Sequence, residues 1–243
     1  ADSPRITFEG IKYIMKGLKS LKSLDTLKFH FRSLEELHDE AMSIIVSKLG
    51  NLTGLENLSL IITRCGMTDN ALVSLKEGLE KRKLLKKLEL DLHLWPISDQ
   101  GMKELSLGLC YLEKLSCFKL YISEGKVKDL GLKYLRDALK ELKALREAYL
   151  HFSGLELSDL GGEYISSAIA EMKAMRVLNL KFWECCLLTE KCLGYVEENL
   201  LKSTGLTDVN VCFFGCVEIR EDSKRKSKQK ILSYKSLNSL VIS

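Results

Sequence analysis

Apolar residues return along this chain in a fixed long-range register, and that register predicts the architecture. The element L-x-x-L-x-x-L-x-L fits at Leu21/Leu24/Leu27/Phe29, Leu52/Leu55/Leu58/Leu60, Arg82/Leu85/Leu88/Leu90 and Leu112/Leu115/Phe118/Leu120. It continues at Leu142/Leu145/Ala148/Leu150, Met172/Met175/Leu178/Leu180, Ser203/Leu206/Val209/Val211 and Tyr234/Leu237/Leu240/Ile242. Successive starts lie 31, 30, 30, 30, 30, 31 and 31 residues apart. A self-similar period of this length marks a stacked repeat protein, whose units bury their apolar sides against one another.

Columns outside the motif keep the same register. Fifteen residues before each start stands an apolar residue (Ile6, Leu37, Met67, Ile97, Val127, Leu157, Leu188, Ile219). Eleven before stands a small one, for example Gly101, Gly131 and Gly161, which lets a helix lie close to the backbone beside it. Seven and three before are more apolar columns, such as Leu75 with Leu79 and Leu105 with Leu109. Apolar positions four apart trace one face of a helix. Thr68-Asp69, Ser98-Asp99, Ser158-Asp159 and Thr189-Glu190 open these helices. There a hydroxyl caps free amides and a first-turn acid suits the helix dipole. The motif itself alternates with period two, as in Leu88-x-Leu90-x-Leu92, so it predicts strands near 24–31, 55–62, 85–92, 115–122, 145–152, 175–182, 206–213 and 237–242. Parallel strands sit about 4.8 Å apart and helices about 8–10 Å apart, so stacking both bends the ribbon with the sheet inside.

The unit Leu85-x-x-Leu88-x-Leu90 followed by Ile97-Ser98-Asp99-x-Gly101-x-x-x-Leu105 resembles the ribonuclease-inhibitor-like class of leucine-rich repeats. The resemblance implies an α/β, right-handed solenoid (a horseshoe) of eight strand-helix repeats of 30–31 residues, parallel sheet concave and α-helices convex. It covers nearly all of 6–243, so 1–243 is expected to be a single domain, with 219–243 a degenerate terminal repeat. Two features depart from the class. The repeat is slightly long. The Asn or Cys that usually closes the strand is replaced by Arg32, Thr63, His93, Ser123, Ser153, Trp183 and Phe214. One residue earlier runs an unbroken apolar column, Phe31, Ile62, Leu92, Ile122, Phe152, Phe182 and Phe213, so the strand is expected to continue and a hydrophobic ladder to replace the polar one.

Composition narrows the function classes. With 37 basic and 33 acidic residues the charge is only +4, which gives no general reason to expect nucleic acid or a membrane surface. No apolar run approaches a membrane span, and the N-terminus lacks the apolar stretch of a signal peptide. The chain opens on Ala1 rather than Met, which points to a processed or excised form. The eight cysteines are read as reduced thiols acting as small hydrophobes that do not recur at matching repeat positions, consistent with a cytoplasmic protein. No phosphate loop, nucleophile elbow or zinc motif is present, so no catalytic residue, metal or cofactor is expected. The basic run Lys224–Lys230 puts Lys224 and Ser227 where Leu or Ile belong. It reads either as a targeting or polyanion patch or as a solvated terminal helix, the latter preferred.

The concave face should expose a central row His30, Ile61, Asp91, Tyr121, His151, Lys181, Cys212. Neighbouring strands then bring Tyr121, Tyr149, His151, Lys181, Trp183 and Phe214 together, aromatics flanked by Lys and His, the composition of interface hot spots. The competing placement folds Trp183 and Phe214 into the strand-end core. His30, His93 and His151 are expected on solvated surface, and Trp95 either extends the surface or packs in its loop. The expected function is a non-catalytic scaffold that binds another protein on the concave face. The final strand is an open edge to be covered by further chain or a second copy. The resemblance also admits a GTPase-activating regulator similar to Ran GTPase-activating proteins, with Arg32 and Arg64 as the candidate arginines although neither position matches a catalytic arginine convincingly, or the sensor part of a larger NLR-like or kinase-containing protein.

Overall fold

The computed structural model describes residues 7–18, 21, 23–32, 37–50 and 52–243, so Ile6, first of its column, lies outside the described residues. Strand and helix alternate throughout: α1 Phe8–Leu18, β1 Thr26–Arg32, α2 Asp39–Leu49, β2 Asn57–Thr63, α3 Asp69–Leu79, β3 Lys87–His93, α4 Asp99–Leu109, β4 Cys117–Ser123. The second half is α5 Asp129–Glu141, β5 Glu147–Ser153, α6 Asp159–Glu171, β6 Val177–Trp183, α7 Glu190–Lys202, β7 Asp208–Cys212, α8 Glu221–Tyr234, β8 Ser239–Ile242. The strands form one open sheet in chain order from β1 to β8. Every neighbouring pair is parallel, with leucine-motif positions side by side, as in Leu58 beside Leu88 and Phe118 beside Ala148.

Alternation decides which side of each strand is buried. In β3, Leu88, Leu90 and Leu92 are buried, whereas Lys87 and His93 are exposed. α3 buries Ala71, Leu72, Leu75 and Leu79 against the sheet, and the same columns are buried in α4, α5 and α6. The buried apolar residues form one continuous cluster along the stack. Its strand-end row stacks aromatically, Phe152, Phe182 and Phe213 lying 5.8 and 5.7 Å apart.

Acids at the helix starts do more than sequence reading assigns to them. Asp69 accepts hydrogen bonds from the Ser98 amide (2.8 Å) and hydroxyl (2.6 Å) of the next repeat. Asp39 binds Thr68, Asp129 binds Ser158 and Asp159 binds Thr189 in the same way. Lys128 offers α5 no side-chain cap, and there Asp99 accepts from the Lys128 and Gly131 amides at 2.7 and 2.9 Å. Each carboxylate thus anchors the N-cap residue of the following helix, and Asp99 and Asp159 also accept from a first-turn amide, at Gly131 and Cys192. The small column makes room for the carboxylate rather than for a neighbouring backbone, because a Cβ on Gly131 or Gly161 would sit 2.7 or 2.8 Å from the preceding carboxylate oxygen.

The strands do run past the motif, and their ends correct the expectation of a purely hydrophobic closure. After the strand the chain turns with positive φ at Arg64, Leu94, Glu124, Gly154, Glu184 and Gly215. The turn amides of Arg64, Glu124, Gly154 and Glu184 stay bonded to a carbonyl of the next repeat, as from Glu184 to the Phe214 carbonyl (2.7 Å), which at the non-glycine positions holds a conformation otherwise costing about 1 kcal/mol or more. One residue further, Cys65, Trp95, Cys185 and Cys216 share a column, so three of the cysteines do recur at a matching position. Trp95 is buried and its indole N–H donates to the Ile62 carbonyl at 2.5 Å. The Cys185 and Cys216 thiols point at the Phe152 and Phe182 carbonyls (3.7 and 3.3 Å). Polar closure exists, supplied by residues of mixed chemistry.

The terminal helix is exposed over most of its length, with one local departure from the expectation. Lys224 and Ser227 are buried in α8 rather than solvated, with the Lys224 ammonium reaching Glu221 at 2.6 Å. A lysine stem is long enough to fill an apolar position while its head stays near the surface. Among the described residues no helix is long and apolar enough to cross a membrane.

Candidate binding surface

Parallel register carries Tyr121, His151 and Lys181 side by side across β4, β5 and β6 on the face turned away from the helices. Trp183 ends β6 and Phe214 follows β7. Their rings meet in sequence. His151 lies edge-on to Tyr121 at 6.1 Å and to Trp183 at 4.5 Å, and Trp183 lies 5.9 Å from Phe214. The Lys181 ammonium sits 5.3 Å above the Trp183 ring, within cation–π range. Trp183 is 37% and Phe214 62% exposed, so neither folds into the strand-end core.

Tyr149 belongs to the preceding row. Lys119 lies 5.0 Å over its ring, and its hydroxyl faces Glu147 at 3.4 Å. Burial first, then nearby acids, pushes both tyrosine phenols above their ordinary pKa, which keeps them as protonated donors. His151 is half-buried, not solvated surface. Its Nε2 has no hydrogen-bond partner. Burial, with smaller contributions from Lys181 and His93, drives its pKa down to about 4. His93 instead pairs with the Ser123 hydroxyl, and His30 accepts from Arg32 at 2.8 Å. Arg64 stands exposed at the turn after β2.

Two residues of this region escaped sequence reading. Leu187 and Val217 are 57% and 75% exposed on the loops that follow Trp183 and Phe214, so the apolar surface spills over the strand ends. Loop letters carry no period, and only the exposure of their neighbours would have signalled them. The nearby thiols of Cys185 and Cys216 are pushed up to about 12 and about 11 by burial, which leaves them unreactive. Among the described residues, no three His, Cys, Asp or Glu side chains gather to hold a metal.

Strand and helix per repeat, parallel pairing in chain order and one shared core decide the architecture. The chain is an α/β leucine-rich-repeat solenoid. No protein-family model matches it, and no curated protein matches its sequence. Among solved structures, leiomodin-1 actin-binding site 2 is 13% identical with a TM-score of 0.48, covering 70% of this chain and 90% of that one. The tropomodulin C-terminal domain of Caenorhabditis elegans is 12% identical with a TM-score of 0.49, covering 66% and 92%. The yeast Rad7–Elc1 complex structure gives 14% and 0.44 over 96% of this chain and 66% of that chain. Likeness at this level transfers no residue and no activity to the solenoid.

Proposed function

We propose that this solenoid is a non-catalytic protein-binding module. A partner polypeptide lies on the open face of the sheet, centred on Tyr121, Tyr149, His151, Lys181, Trp183 and Phe214. The observation that carries this reading is the unbroken run of rings from Tyr121 through His151 and Trp183 to Phe214, with its outer half exposed. Rigid aromatics with a neighbouring ammonium are the residues that dominate binding energy at protein interfaces. An exposed apolar cluster of this kind favours contact with a partner over contact with water.

The single continuous core supports reading the chain as one binding unit, and full helices of 11–14 residues support placing it in the ribonuclease-inhibitor-like class. Eight unpaired thiols fit an intracellular setting. No observation favours a catalytic regulator over a binding module.

The test is positional photocrosslinking in native extract. A photoreactive residue in place of Tyr149 should yield discrete adducts, and the same residue in place of Lys133 on the helical side should not. Equal adducts from both positions, or adducts from Lys133 alone, would remove the open face as the binding site.

A further inference from the structure

Along the starts of β1 to β4 the open face dips into a groove of about 330 Å³. The strand backbone at Leu58 and Leu88, whose side chains turn into the core, forms its floor, and Lys28, Lys87 and Lys119 stand around it with Ser59 and Glu89. Register places Lys28, Ser59, Glu89 and Lys119 in one row, and Lys87 one row back. Three ammonium groups therefore share the groove with one carboxylate, and that carboxylate already accepts from the Ser59 hydroxyl at 2.8 Å. Among the described residues none of the three lysines makes an ion pair. Lys119 also lies over Tyr149, so the groove adjoins the aromatic run directly.

We propose that this groove takes an acidic stretch of the same partner polypeptide whose apolar part rests on Trp183 and Phe214. The inference builds on the binding face proposed above. Like charges gathered in one groove raise the local concentration of anions. Side-chain carboxylates fit better than a nucleic-acid backbone, because Glu89, Asp91 and Glu147 interrupt the positive surface and would repel a continuous row of phosphates. Lys119 on β4 pairs through Tyr149 with Asn179 on β6, and Trp183 lies four residues further along β6, so the two are about 16 Å apart, which an extended chain covers in about five residues. The recognised segment thus carries acids about five residues from an apolar anchor.

Fluorescence anisotropy with the intact chain tests this. The probes are a labelled peptide of four glutamates, a Gly-Ser spacer of about five residues and Leu-Phe-Leu, the same peptide with glutamines, and a short oligothymidylate. The glutamate peptide should bind about tenfold more tightly than the glutamine one, the worth of three modest charge contacts. That advantage should fall with salt and vanish in Lys28→Gln/Lys87→Gln/Lys119→Gln. Equal binding of the two peptides, an advantage that survives the lysine substitutions, tighter binding of the oligothymidylate, or no binding of the glutamate peptide would overturn the groove. Trp183→Ala/Phe214→Ala should weaken both peptides alike. If it weakens neither while the glutamate advantage persists, the aromatic site fails and the groove stands.

Discussion

The imidazole of His151 lies 4.5 Å from the indole of Trp183, their planes 75° apart, so each ring shields the other from water. A histidine so placed is held neutral. Its pKa falls from 6.5 to about 4, with burial the largest cause and the Lys181 charge the next. The folded state therefore binds fewer protons than the unfolded chain between these values. Stability from the neutral ring is fully present above pH 6.5 and is lost as pH falls toward about 4. After allowance for partial exposure the loss is about 1–2 kcal/mol. Urea denaturation of the native chain and His151→Gln at both ends of that window should show a difference in slope. Proton NMR of Trp183→Ala should find the His151 pKa raised. A His151 that titrates near 6.5 in the native chain would contradict the contact.

Asp159 holds three groups of the next repeat, the Thr189 amide and hydroxyl and the Cys192 amide, at 2.8, 2.7 and 3.2 Å. Asp159→Ala leaves the start of α7 without this cap. It should cost about 2–3 kcal/mol, from charge-assisted bonds in a half-buried site. A lowered denaturation midpoint and faster amide exchange at Thr189 are the expected signs. Asp137, an exposed acid on the same solenoid, serves as control, and Asp137→Ala should stay within about 0.5 kcal/mol.

Trp95 and Trp183 are the only tryptophans and occupy opposite environments, 1% and 37% exposed. Trp183→Phe should leave blue-shifted fluorescence that acrylamide quenches poorly. Trp95→Phe should leave red-shifted, easily quenched emission, and should also cost about 1–2 kcal/mol through the orphaned Ile62 carbonyl. Trp95→Ala, which adds a cavity, should cost about 3–5 kcal/mol in the same denaturation assay.

The stack was legible because its columns are chemically uniform. Leu88, Leu90 and Leu92 name a strand, and repeat spacing alone sets Tyr121 beside His151 and Lys181. What escaped reading depends on partners about one repeat away or on mixed columns. Asp99 looks like a local helix starter, and only the neighbouring Lys128 and Gly131 amides reveal it as a link between repeats. The column after the turns mixes Cys65, Trp95, Gly125, Leu155, Cys185 and Cys216, so no letter marks the closure that Trp95, Cys185 and Cys216 supply. Charge misled at Lys224, where the stem fills the core and only the head is polar. Trp183 ends β6 on its outward-facing side, and the left-handed turn that follows at Glu184 has no glycine to signal it.

The most direct test of the open face as a binding surface is calorimetric affinity for a captured partner, measured on Trp183→Ala and Phe214→Ala. Each substitution should raise Kd at least about tenfold, as interface anchors do, and change denaturation by no more than about 1 kcal/mol, since both side chains are exposed. An unchanged Kd for both variants, with the fold intact, would contradict the account.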